Sequence, residues 1–579
     1  MGKKMLQKKA VTALVLLSVL GPVQAGEKEE LLKLRSTTES LIKQLVKQGI
    51  LTEETAETMF KEAEAEAGKI AEQARTAAAL SNAASVGEPD DEEVRVSYIP
   101  DFIKDQIRDE IRAELREDVT GDVISKAKEE GWGLADALPE WTRKFKLSGD
   151  MRLRYEPVFL SDSNAAPGPS YPNVQAINQL GGLTNAIARQ EAFENTQTNN
   201  QRFRQRFRLG IEANIAEGLK AAVRLSTGNF RDPVSTNQTL GQTGDRYEFS
   251  VDRAYLQYDD VDSFGFNWLS LIGGRIKNPF FVGGGEFTGG SEMVWDPDLS
   301  FEGFAATYRY NLGLTNGLGD DARMIYATAG AFPLQEAPFS HNDKWLFGGQ
   351  LGMNWGFKNH DSLKVAVAYY DYKNIAARPN STEPNTCDLN NRENTASMPE
   401  FMQGGNSLAT ICYEGTQTAP TQIPQMLGLA SDFNIVNVNM RYDMSLFDDI
   451  HLTFSGDYAK NIGFDSAKVA ARRALGGGPI DEETTAWQVR ADLGWLRVDK
   501  KGNWSTFVAY KRVERDAVLD AFTDSDFHLG GTNAKGWILG ANYAFLNNVW
   551  LTSRWLSADA ITGPPFAVDV FQFDINTKF

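Results

Sequence analysis

Asp569-Val570-Phe571-Gln572-Phe573-Asp574-Ile575-Asn576-Thr577-Lys578-Phe579 closes the chain. Side chains alternate faces along an extended strand. Phe571, Phe573, Ile575, Thr577 and Phe579 therefore fall on one side, and Gln572, Asp574, Asn576 and Lys578 on the other. One face suits hydrocarbon and the other suits water. A strand of this kind ending on Phe predicts the last strand of a bacterial outer-membrane barrel. Phe571, Phe573, Ile575 and Phe579 are then the expected signal for the barrel-assembly machinery.

The same period of two recurs upstream. Phe145, Leu147, Met151, Leu153 and Tyr155 oppose Lys146, Ser148, Asp150, Arg152 and Arg154. Trp345, Phe347, Leu351, Met353, Trp355 and Phe357 oppose Gly348, Gln350, Gly352 and Asn354. Further strands are expected at 202–215, 219–228, 248–258, 267–276, 303–311, 322–331, 363–372, 433–443, 451–460, 484–496, 503–513, 535–545 and 549–557. The pattern predicts an all-β transmembrane barrel of about 16 antiparallel strands over 141–579. Connections alternate long (156–201, 229–247, 277–302, 332–344, 373–432, 461–483, 514–534, 558–567) and short. That asymmetry separates outer loops from periplasmic turns, and a soluble sandwich has no reason for it. Trp268, Trp345, Trp355, Trp487, Trp495, Trp504, Trp537, Tyr543 and Trp555 cluster near strand ends, as interfacial girdles require.

Residues 1–25 read as a cleaved signal peptide: Lys3, Lys4, Lys8 and Lys9, then an apolar run from Ala10 to Leu20, then Val23-Gln24-Ala25. Residues 26–86 read as a helical hairpin or coiled coil, with Leu31, Leu34, Leu41 and Leu45 on one face. An acidic linker follows at 87–100. Ile103, Ile107, Ile111 and Leu115 then mark an amphipathic helical segment over 101–140. With both barrel ends on the periplasmic side, this α-helical extension is expected in the periplasm. The net charge of −18 disfavours nucleic acid as a partner. It is compatible with outer-membrane lipid and lipopolysaccharide bridged by cations. Cys387 and Cys412 are the two cysteines of the chain, and an oxidising compartment predicts a disulfide between them.

Several stretches carry a family resemblance: Val94-Arg95-Val96-Ser97-Tyr98-Ile99-Pro100, Leu147-Ser148-Gly149-Asp150-Met151-Arg152, Gly274-Arg275-Ile276-Lys277-Asn278-Pro279-Phe280, Val294-Trp295-Asp296-Pro297-Asp298-Leu299 with Glu302-Gly303, and Ser525-Asp526 followed by Gly530-Gly531-Thr532. In these the chain resembles outer-membrane porins of Gram-negative bacteria that carry an N-terminal helical region. The resemblance implies a porin-type barrel and says little about the solute.

Arg202, Arg204, Arg206 and Arg208 share one strand face. On the lipid side each would cost about 2–4 kcal/mol at the midplane, so they are expected to line the lumen, with Arg224 beside them. Such a basic wall concentrates field in a narrow channel. Glu212, Asp150 and loop carboxylates are the alternative reading, as structural neutralising partners. The third long loop holds Glu286, Glu292, Asp296, Asp298 and Glu302. By loop order it is similar to the inward-folded third loop of general diffusion porins, which sets acids against a basic wall. The plainer alternative is a surface loop whose glycines permit tight turns. No nucleophile–base set, phosphate loop or metal-ligand cluster is legible, so neither enzymatic activity, cofactor nor metal is expected. The expected function is passive diffusion of small hydrophilic solutes or ions across the outer membrane, with homotrimerisation by analogy. The alternatives are a substrate-selective channel, or a plugged or structural barrel that binds partners through its loops or tethers the envelope.

Overall fold

The structure, a computed structural model, describes residues 144–579 except 285–289, 314–322, 338–340, 381–386, 388–393, 415–422, 448 and 474–478. The expected signal peptide, helical hairpin, acidic linker and amphipathic segment (1–140), together with Glu286, lie outside the described residues.

Sixteen strands alternate oily and polar faces and form one closed wall. They are β1 (Phe145–Leu160), β2 (Asn200–Ala216), β3 (Leu219–Ser226), β4 (Ser250–Val261), β5 (Asn267–Lys277), β6 (Ser300–Asn311), β7 (Arg323–Gln335) and β8 (Lys344–Gly356). The second half is β9 (Ser362–Lys373), β10 (Asn434–Phe447), β11 (Ile450–Asn461), β12 (Thr485–Gly494), β13 (Trp504–Val513), β14 (Ala534–Leu546), β15 (Val549–Ala560) and β16 (Ala567–Lys578). Neighbours in sequence pair antiparallel, and β1 pairs with β16, bringing Met151 opposite Thr577 and Tyr155 opposite Phe573. Closure leaves no open edge, the condition for a sheet to stand in hydrocarbon. A two-residue strand, Gln238–Thr239, adds to β2 opposite Gln205 and Arg204.

The outward faces carry the expected apolar side chains. Phe203, Phe304, Leu351, Val367 and Ile575 are exposed at the barrel surface. Aromatic pairs lie along it, among them Trp268 with Tyr308, Tyr510 with Trp537 and Trp555 with Phe571.

At the outer end the inward face changes character. Val158, Leu160, Val568 and Val570 keep the inward parity, yet they are buried in an apolar cluster with Phe527 and Phe566. On the opposite wall Ile276, Phe301, Phe332, Leu346, Tyr370 and Phe433 do the same. The reason lies in the long connections, loop 3 (278–299), loop 5 (374–433) and loop 7 (514–533), which fold into the mouth and dry it. Loop 3 inserts Phe280, Met293, Val294 and Trp295, the last only 2% exposed. Trp295 meets Tyr370 edge to face with ring centres 4.9 Å apart. Inward Gly348 leaves the space that the Phe280 ring fills, since an added Cβ would lie 2.4 Å from Phe280 Cζ.

Loop 5 contains a hairpin of its own, Leu408–Glu414 against Ile423–Leu429. Cys387 and Cys412 are joined, so the disulfide ties the preceding polar stretch to this hairpin. Cys387→Ser with Cys412→Ser should destabilise the loop by about 3–4 kcal/mol in the chain-entropy model. Hydrogen exchange on the folded barrel checks this: loop 5 amides should lose protection while β9 and β10 keep theirs. Unchanged loop protection would refute it.

Candidate pore lining and constriction

The site grows from the even-numbered positions of β1 and β2, which face the lumen and pair across the two strands. Arg152 lies opposite Arg206, and Asp150 opposite Arg208. Facing cations one strand apart repel, so the wall holds together only if carboxylates come between them. Asp150 supplies two such contacts, 3.0 Å to Arg206 and 2.8 Å to Arg208. Glu156 takes Arg202 at 2.6 Å and Arg204 at 3.6 Å. Arg224 is paired with Asp252. Glu212, the other partner weighed from sequence, is not among the carboxylates that bridge these arginines.

Loop 3 completes the wall from inside. Its Asp298 lies 3.6 Å from Arg206 and 3.2 Å from Arg208, and accepts from the Thr236 hydroxyl of loop 2 (227–249) at 3.0 Å. Burial alone would raise the Asp298 carboxyl, but Arg206 and Arg208 outweigh it and hold it well below the usual carboxylate range. Glu292 approaches Arg554 at 3.8 Å. Asp296 is buried and accepts from the Ser525 N–H of loop 7 at 3.0 Å. Glu302 sits on β6, paired with Arg275 and largely exposed. Loop 3 thus brings Glu292, Asp296 and Asp298 inside the barrel, while Glu302 belongs to the wall.

A second loop enters that periodicity did not single out. The Asp296 N–H donates to the Phe522 carbonyl at 2.8 Å, and the Asp524 N–H donates to the Glu292 carbonyl at 3.0 Å. The Thr523 hydroxyl donates to the Met293 carbonyl at 2.6 Å. These contacts make loops 3 and 7 one strut. Loop 7 then sends Asp526 to Arg154 at 3.2 Å and to Arg554, and Asp524 to Lys511. Desolvation opposes the charge on Asp526, but Arg154 and Arg554 override it and keep this carboxyl well below its ordinary range. Arg154 also forms a two-pronged contact with Asp574 of β16 at 2.8 and 3.0 Å. Arg152, Arg154 and Asp574 were legible as inward by parity; the role of Asp526 was not, because no period governs where a loop goes.

Gln350 on β8 holds the other end of loop 3. The Phe281 N–H donates to its Oε1 at 2.8 Å, and its Nε2 donates to the Phe281 carbonyl at 2.9 Å. Elsewhere, His451 Nδ1 lies 3.0 Å from the Asp443 carboxylate, and the buried Ser455 Oγ has no partner among the described residues. His451 and Ser455, which share one face of β11, therefore form no linked pair.

This is a closed sixteen-stranded wall with an inward loop strut, and residues 35–579 match the family model described as "Putative porin". The chain belongs to this porin family. Outer-membrane barrels are among the structural neighbours. OprB of Pseudomonas putida matches with 12% identity and TM-score 0.41 over 77% of this porin and 97% of that chain. The outer membrane channel DcaP of Acinetobacter baumannii matches with 10% identity and TM-score 0.38 over 75% and 97%. OmpF of Salmonella typhi, in complex with daunomycin, matches with 12% identity and TM-score 0.35 over 75% and 97%. No match is found among curated proteins. The porin is an outer-membrane channel.

Proposed function

We propose that the barrel is a passive pore for small hydrophilic solutes and ions, narrowed by the loop 3–loop 7 strut and sorted by the charges of the β1–β2 wall. The observation that carries this reading is the contact of Asp298 with Arg206 and Arg208 inside the barrel. A loop acid seated on a basic wall sets both the width and the local field of a water-filled passage. Arg202, Arg204 and Arg224 extend the same wall, and Glu292 and Asp296 the same strut. A periplasmic place for residues 26–140, contact with lipopolysaccharide, delivery by the assembly machinery and a homotrimer belong to this reading too. Chemical crosslinking in outer-membrane fractions tests the trimer.

The pore itself is tested by conductance of the refolded chain in a planar bilayer, with reversal potential under a salt gradient. Steady ohmic steps are expected. Asp298→Asn uncovers two guanidinium groups and should move selectivity toward anions, and Arg206→Gln should move it toward cations. No steps from a folded barrel, or one direction of shift for both variants, would defeat the reading.

A further inference from the structure

Loops 2, 5 and 7 and the outer ends of β5–β8 line a half-open cavity of about 590 Å³. Its size suits a small organic molecule, and its walls are mixed in the way ligand sites are. The apolar part comes from Phe230 of loop 2, Pro333 and Leu334 of the wall, Phe401 of loop 5 and Phe522 of loop 7. Besides Arg275, two cations reach the same space. Arg231 is exposed, lies with its guanidinium 5.4 Å from the Phe230 ring centre, and has no carboxylate within ion-pair distance among the described residues. Lys344 is 5% exposed; its ammonium donates to Gln335 Oε1 and to the Met398 carbonyl, both at 2.6 Å, which leaves its third N–H. Two acids line the cavity as well: Glu302 is held by Arg275, and Glu400 is exposed and offsets the charge of Lys344, so Arg231 is the cation left for a ligand.

We infer that this cavity is a binding site for small organic anions with an aromatic or comparably apolar body, held by Phe230 and Phe522 and by the charge of Arg231. An apolar body displaces water from the aromatic wall, and a carboxylate meets a guanidinium that no protein acid has claimed. A cation of the same shape gains the wall but meets Arg231 and Lys344. The inference rests on the pore reading only in that solutes enter from this mouth.

The test is isothermal titration of the full chain, folded in detergent, with benzoate, acetate and benzylammonium. Benzoate should bind at least about tenfold tighter than either of the others. Arg231→Gln should weaken benzoate about tenfold, and Phe230→Ala should weaken benzoate while leaving acetate unchanged. Both residues are exposed loop positions. Benzylammonium binding as tightly as benzoate, an unaltered benzoate affinity in Arg231→Gln, or no binding of any probe would each overturn it. Conductance of the same preparation separates the two readings. Ohmic steps without benzoate binding defeat the anion site alone, and absence of steps with benzoate bound defeats the pore alone.

Discussion

Arg154→Met should destabilise the folded barrel by about 3–5 kcal/mol, the usual consequence of removing one partner from a buried ionic network. Arg154 is 3% exposed and touches three carboxylates: Glu156 at 3.3 Å, Asp526 at 3.2 Å and Asp574 at 2.8 Å. Those acids come from β1, loop 7 and β16, so one side chain secures both the barrel seam and the inward strut. Methionine fills similar volume and removes the charge, leaving the acids facing one another. Arg554 still holds Asp526, and Arg202 and Arg204 still hold Glu156, whereas no other salt bridge to Asp574 is found among the described residues. The second variant, Arg154→Met with Asp574→Asn, should therefore recover part of the loss. Urea unfolding in lipid vesicles reads both. A single variant within about 1 kcal/mol of the parent would mean that lumen water screens these charges. Arg154→Lys should be intermediate, because an ammonium cannot reproduce the fork on Asp574.

The other large effect lies on the lipid face. Leu351 and Val367 are direct cross-strand partners on β8 and β9, 68% and 49% exposed at the barrel surface. Leu351→Arg or Val367→Arg should cost about 2–4 kcal/mol if the position is near the bilayer midplane. The double variant adds like-charge repulsion across the pair. Folding yield into vesicles, read by the heat-modifiable shift of the barrel on gels, should fall for each and collapse for the double. Normal yield would sink the register. Gln350→Arg, one residue away, changes the lumen side instead. Gln350 is 3% exposed and clamps the Phe281 backbone, so the substitution detaches one end of loop 3 as well as adding charge. The barrel should still assemble, with noisier and larger conductance steps. Quiet steps of parental size would show that the clamp is dispensable.

The strands were legible because a bilayer on one side and water on the other impose a period of two, and any slip exposes a whole face to the wrong solvent. All sixteen expected strands are present with ends displaced by a few residues, and the long and short connections alternate as the loop lengths indicate. The ends are displaced where loops supply partners, as at β1. There Val158 and Leu160 continue the strand beyond Tyr155, and the Leu160 N–H donates to Asn199 Oδ1 at 2.7 Å. The wall arginines were legible for the same reason, since four guanidinium groups cannot face lipid.

Their pairing was not. Which acid reaches which arginine depends on loops that no period constrains and on contacts between residues far apart in the chain, such as Arg154 with Asp526 and Arg206 with Asp298. The apolar packing of the mouth is of the same kind. Phe280 and Trp295 look like unremarkable loop residues until the inward faces of β5 to β9 receive them. Sequence alone therefore determined the wall, its register and which side chains face inward, because solvent on each side dictates every second residue. Only the tertiary structure decided how the lumen is filled, because loop paths are set by packing and ion pairing against a wall that must already be closed.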